Sequence, residues 1–197
     1  MRREELEELQ YITPIVNVPS ILTQGILSHK RVKSMPHQSV AKPEVQALRA
    51  KVHIPGGRPL HEYANLYVCA RNPMLYKRQA DHQSLCVLRI ATSVLDLPDV
   101  VITDQNAASD YRRFAAAPGG LAIVDKEKTF AEHWTHPDDP IAYWRHSSMK
   151  CAEVLVPDVV DPDFIMGAYV SCKSSHDRMA ADTPGLPAEI NRHFFFC

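Results

Sequence analysis

Residues 150–157, "KCAEVLVP", decide how the chain folds. Cys151 to Val156 reads as a buried strand, short, apolar and β-branched, yet Glu153 stands in its middle. Alternate residues of a strand share a face, so Glu153 points the same way as Cys151 and Leu155. A carboxylate on an apolar face is costly unless something pairs with it or uses it. Pattern alone leaves two readings open, a satisfied ion pair and a catalytic acid.

Working outward, further short strands are expected at "YITPI" (11–15), "EYANLYVCA" (62–70), "SLCVLRI" (84–90), "VVITD" (100–104), "IMGAYVS" (165–171) and "RHFFFC" (192–197). Helical potential lies at "NVPSILTQGIL" (17–27), with Pro19 near its start and Gly25 as its C-cap, and at "PEVQALRAK" (43–51). "NAASDYRRF" (106–114) reads as a short helix, and 130–148, with two Trp and three His residues, as irregular or helical. The 15 prolines against seven glycines suggest fixed turns rather than flexible linkers. Short strands, few helices and long crossings predict a mixed α+β class. The interval 105–147 exceeds an ordinary connection, which marks a functional loop or inserted helices.

Composition narrows the function. At 197 residues and 45% apolar content the chain can bury a core as one domain without disulfides or metal. No apolar run is long enough to span a membrane, and "MRREELEELQ" lacks the apolar segment of a secretory signal. Five cysteines without paired spacing read as reduced thiols, which predicts a cytoplasmic protein. The net charge of −1 does not advertise a nucleic-acid binder, but basic clusters at 29–33, 49–58 and 71–78 permit a basic face. His133 and His136 have no recognisable metal-ligand companions, and the HExxH, CxxC, GxSxG, GxGxxG and Walker A patterns are all absent, so no metal is expected.

Read as a set, five segments resemble the DarT family, the DNA ADP-ribosyltransferase toxins of the DarTG toxin–antitoxin system. They are "YITPIVNVPSILTQGILSH" (11–29), "VQALRAKV" (45–52), "PGGRPLHEYANLYVCARNPMLYK" (55–77), "VVITDQNAASDYRRF" (100–114) and "KCAEVLVP" (150–157). The resemblance implies an ADP-ribosyltransferase-like fold over 1–197: two small packed sheets, flanking helices and a cleft that holds NAD as co-substrate. It implies transfer of ADP-ribose to a base of single-stranded DNA, with a DarG-like macrodomain antitoxin as partner. The "NLYVCARNPM" wall is more similar to the guanine-modifying branch than to the thymidine-modifying one.

The same resemblance assigns residues. Glu153 is the expected catalytic acid, and Arg49 the arginine that engages NAD phosphates or positions the base and Glu153. Tyr11, Ile12, Thr13, Asn17, Ser20, Ile21, His29, Tyr67, Arg71 and Met74 are expected around NAD. Position 14 is Pro where some relatives carry His. The region 104–148 is expected to recognise DNA through Asn106, Ser109, Tyr111, Arg112, Arg113, Trp134 and His146, with Trp144 also able to stack a base. An enzyme of the same fold acting on protein or RNA, and a non-catalytic NAD- or nucleic-acid-binding module, are the alternatives.

Overall fold

A computed structural model describes residues 1–197. The helices are α1 (Val18–Gln24), α2 (His29–Val32), α3 (Pro43–Arg49), α4 (Pro73–Tyr76), α5 (Lys126–Phe130), α6 (Pro140–Met149) and α7 (Lys173–Asp182). The strands are β1 (Leu9–Pro14), β2 (Ile26–Leu27), β3 (Tyr63–Tyr67), β4 (Leu85–Ile90), β5 (Val101–Thr103), β6 (Phe114–Ala116), β7 (Glu153–Pro157), β8 (Val159–Val160), β9 (Ile165–Val170) and β10 (Ala188–Ile190). Eight strands form one sheet in the order β10-β9-β4-β1-β3-β7-β5-β6, and β2 pairs with β8 in a separate ladder. The architecture is mixed α+β, with one large sheet and one small one.

The large sheet is nearly two. β1 pairs with β4 over six residues, whereas its ladder to β3 is the single pair Gln10↔Tyr67. Gln10 strengthens that joint, since its Oε1 accepts from the Ala70 N–H at 2.6 Å. Beyond the joint β1 and β3 separate, and Tyr11–Pro14 and Asn65 border a cavity instead of pairing with each other.

Local sequence explains the elements around this gap. Pro19 sits in the first turn of α1, where its missing N–H costs nothing. Gly25 ends α1 at φ 84°, and a Cβ there would collide with the Val160 carbonyl oxygen. Pro43 opens α3, which ends with Arg49 turned inward.

Two expected elements differ. Residues 106–113 form turns rather than a helix, because Asn106 and Asp104 take up the Ala108 and Arg113 backbone N–H groups with their side chains. Residues 192–196 form a turn rather than a strand. Its phenylalanines go to different places: Phe195 into a buried cluster, Phe194 onto Tyr169, and Phe196 onto Tyr76 and Trp134. α7 had no counterpart among the expected elements, although its i,i+4 pairs Lys173–Asp177 and Arg178–Asp182 are a helical signal. Cys69, Cys86 and Cys151 are buried and no cysteine is disulfide-bonded.

Candidate active site

Glu153 is the first residue of β7, and its register partners are Tyr67 on β3 and Thr103 on β5. It is completely buried, at 0% exposure. Arg49 reaches it from α3, donating from Nη1 to Oε1 at 3.0 Å and from Nη2 to Oε2 at 2.9 Å. The Ala107 N–H adds a third donor to Oε1 at 3.0 Å. Thus the ion-pair reading of the strand holds: the carboxylate is paired, and it lies behind a cavity wall formed by its partner.

That cavity measures about 690 Å³. Arg49, Tyr67 and Cys151 line it, and Arg49 stands between Glu153 and the open space. The expected face therefore reaches the cleft directly at Cys151 and, at Glu153, through Arg49. A bidentate fork of this kind is strong and directional because both partners are ionised.

The electrostatics follow from burial. Desolvation alone would lower the Arg49 pKa, but the charge and hydrogen bonds of Glu153 outweigh it and hold the guanidinium above its usual value. Burial, and then the Glu153 charge, push the Tyr67 phenol well up, so it remains a neutral donor at physiological pH. The same two causes push the Cys151 thiol up to about 12. His29 packs against His61 with ring centroids 4.2 Å apart, and burial followed by the Lys33 charge lowers its pKa, leaving a neutral imidazole.

Most residues expected around NAD meet here. Tyr11, Ile12, Thr13, Asn17, Ser20, Ile21, His29, Tyr67 and Met74 all line the cavity, as do Asn106, Ser109 and Trp144 from the 104–148 region. Asn17 also has a structural task, exchanging two hydrogen bonds with the Gln38 backbone and so tying down the segment 33–42.

Other expected residues do not reach the cavity wall. Arg71 donates to the His193 carbonyl and lies 4.1 Å from the Phe196 ring centroid, so the C-terminal segment occupies it. Trp134 is buried against Tyr76 and Phe196 and offers no free face for a base. Arg112 turns back to the Ser109 carbonyl, and Arg113 pairs with Asp104 at 2.7 Å. His146 bonds the Lys128 carbonyl and His136. Tyr111 is 83% exposed, away from the wall.

Several cavity residues escaped the sequence reading. Met35 to Lys42 form a polar stretch without periodicity, so nothing in the pattern marked it as a wall. Ser147 and Ser148 at the end of α6 line the cavity with buried hydroxyls that have no partner. No three His, Cys, Asp or Glu side chains gather as a metal site would require, and no helix is long and apolar enough to cross a membrane.

Comparison with known proteins gives this geometry a context. A family model described as "DarT: ssDNA thymidine ADP-ribosyltransferase, DarT" matches residues 10–196. A DNA ADP-ribosyl transferase–DNA ADP-ribosyl glycohydrolase fusion protein of Thermosipho africanus is 34% identical across 96% of the chain, which spans about half, 49%, of that longer protein. A DNA ADP-ribosyl transferase of Thermus aquaticus is 31% identical, covering 95% of this chain and 88% of its own. DarT of Thermus sp. 2.9 in complex with ADP-ribosylated ssDNA superposes with a TM-score of 0.82 at 25% identity over 98% of both chains, and its complex with NAD+ with 0.77 over 96% and 98%.

Proposed function

The chain belongs to the DarT family, and on that premise we propose that it cleaves NAD and transfers ADP-ribose to a base in single-stranded DNA, releasing nicotinamide. The observation that carries the proposal is the Arg49–Glu153 fork at the wall of a cavity where the two halves of the sheet part. Residues 1–197 act as one domain, with 104–148 as the substrate-recognition region.

Breaking the ribose–nicotinamide bond develops oxocarbenium-like positive charge at C1′. A carboxylate fixed nearby stabilises that charge, hydrogen-bonds the ribose 2′-OH and takes the proton from the attacking base nitrogen. Glu153 suits these tasks because the strand and the Ala107 N–H hold it rigidly. Its second oxygen is engaged only by Arg49. When Arg49 turns toward NAD phosphate or the base, Oε2 becomes available while Oε1 keeps its backbone donor. Tyr11–Thr13, Asn17, Ser20, Ile21, His29, Tyr67 and Met74 surround NAD, and Asn106, Ser109 and Trp144 face the DNA.

We assign the base as guanine on the strength of the "NLYVCARNPM" wall; thymine is the competing assignment, supported by the family description, which names thymidine. A toxin role in the cytoplasm and a DarG-like macrodomain antitoxin as partner belong to the same proposal, and the glycohydrolase joined to the transferase in the Thermosipho relative supports the partner. The deciding assay is incubation with NAD and oligonucleotides that differ at one base, read by mass. A gain of one ADP-ribose on the guanine oligonucleotide is expected. Modification of the thymine oligonucleotide alone would transfer the assignment to thymine, and labelling of protein but never DNA would overturn DNA as the substrate.

A further inference from the structure

Lys150 is among the largest fully buried side chains in the molecule, at 0% exposure, and the mechanism above does not use it. Lysine is rarely buried without a charged partner. Here no carboxylate compensates it, and burial lowers its pKa. Its three N–H donors are nevertheless all directed: to the Thr129 carbonyl at 2.9 Å, to the Ala131 carbonyl at 2.7 Å, and toward the Cys69 sulfur at 4.0 Å. The ammonium also stands 5.6 Å from the centroid of the Trp134 ring.

These contacts close one end of α5. Its last turn leaves carbonyls that the helix itself cannot satisfy, where a cation is favourable. Lys150 takes Thr129 O and the following Ala131 O, and His146 takes Lys128 O at 3.1 Å. Thr129 returns a bond from Oγ1 to the Met149 carbonyl at 3.3 Å. α5 and the end of α6 are thereby locked together.

The lock sits at the root of the site. Lys150 caps α6, whose last turn carries Ser147 and Ser148 to the cavity, and Glu153 follows three residues later. The Ser148 carbonyl accepts from the Asn106 N–H at 3.0 Å, and the next residue, Ala107, donates to Glu153. A shift of the α6 terminus therefore moves the carboxylate and its backbone donor together. We infer that Lys150 is a positioning residue, whose buried ammonium fixes the α5–α6 junction and through it the Glu153 carboxylate and the α6 wall of the cavity.

The inference rests on the proposed transferase reading for its kinetic test and stands apart from it in its exchange test. The full chain is compared with Lys150→Met, which keeps the volume but removes charge and donors, and Lys150→Gln, which keeps two N–H donors. Expected for Lys150→Met are NAD affinity within about twofold by calorimetry and a fall in transfer kcat of roughly 10- to 100-fold, as for a sub-ångström to 1 Å misplacement of a catalytic group. Amide hydrogen exchange over 104–110 and 151–156 should quicken. Lys150→Gln should recover part of both effects. A Lys150→Met protein with wild-type kcat and unchanged exchange overturns the inference. So does loss of fold and NAD binding together in both variants, which would make Lys150 simply structural. Should the wild type label no oligonucleotide, the transferase reading fails, while faster or unchanged exchange at 104–110 and 151–156 still decides for or against Lys150.

Discussion

The two faces of β7 are built on different terms. Ala152, Val154 and Val156 enter one continuous cluster of 24 buried apolar residues, so nothing interrupts that side. On the other side Cys151 belongs to a cluster of eight and Leu155 to a cluster of six, and Glu153 lies between the two. Where two small cores stop short of each other, a charged pair can be admitted without breaking a large one. The same strand thus carries the main core on one face and the proposed chemistry on the other. The cost of burying Glu153 is met locally by Arg49 and the Ala107 N–H, not by the main core.

Replacing Glu153 tests this division most severely. Glu153→Ala should lower transfer by about 10²- to 10³-fold or more, the scale for removing an electrostatic stabiliser of a transition state. It also strands Arg49, which for a fully sealed pair costs about 3–5 kcal/mol. Because Arg49 borders the cavity, its guanidinium can turn to water, so the loss should fall at the low end of that range. Calorimetry with NAD and an oligonucleotide assay separate the two effects. If the variant unfolds outright, the polar face is carrying stability after all, and the contrast between the faces collapses.

Arg49→Lys is a milder probe of the same face. A single ammonium keeps the charge but cannot make two parallel hydrogen bonds to Oε1 and Oε2. Transfer should drop by roughly 10- to 100-fold, as expected when a reacting group loses its exact alignment. Stability should change by about 1–2 kcal/mol, the scale of lost charge-assisted hydrogen bonds. Wild-type rates in Arg49→Lys would show that charge alone suffices and that the fork geometry is incidental.

The two faces were not equally legible in the sequence. Alternation and β-branching placed β3, β4, β5, β7 and β9 correctly, because a period of two and a buried core act within a few residues. Glu153 was visible as a break in that alternation. Its partner was visible only through the family resemblance, since by pattern Arg49, 104 positions away, is identical to a solvated helix arginine. Lys150 was hidden for a related reason: lysine is ordinarily exposed, and only the carbonyls of residues 129 and 131 make burial tolerable. Trp134 had the right chemistry for a base and Arg71 for an NAD phosphate, but long-range packing against Phe196 claimed both. The wall at 35–42 has no periodic signal at all; it is held by Asn17 through backbone groups, which any residue could supply.

Val154→Ala addresses the apolar face and should barely touch transfer. Val154 is adjacent to Glu153 in sequence, yet it points into the main cluster with 0% exposure. Removing two methylene equivalents there costs about 2–3 kcal/mol once the residual cavity is counted. For a chain of this size that lowers Tm by roughly 5–10 °C. Its backbone pairing to Leu66 and Ile102 is unaffected by the side chain, so the strand still delivers Glu153 to the same place. Transfer measured well below the new Tm should stay within about twofold of wild type, since no group that meets the cavity has moved. A large loss of transfer at full folding would mean that packing behind the strand sets the position of the carboxylate. The two faces would then be one mechanical unit, and the separation of stability from chemistry along β7 would fail at the residue where it should be cleanest.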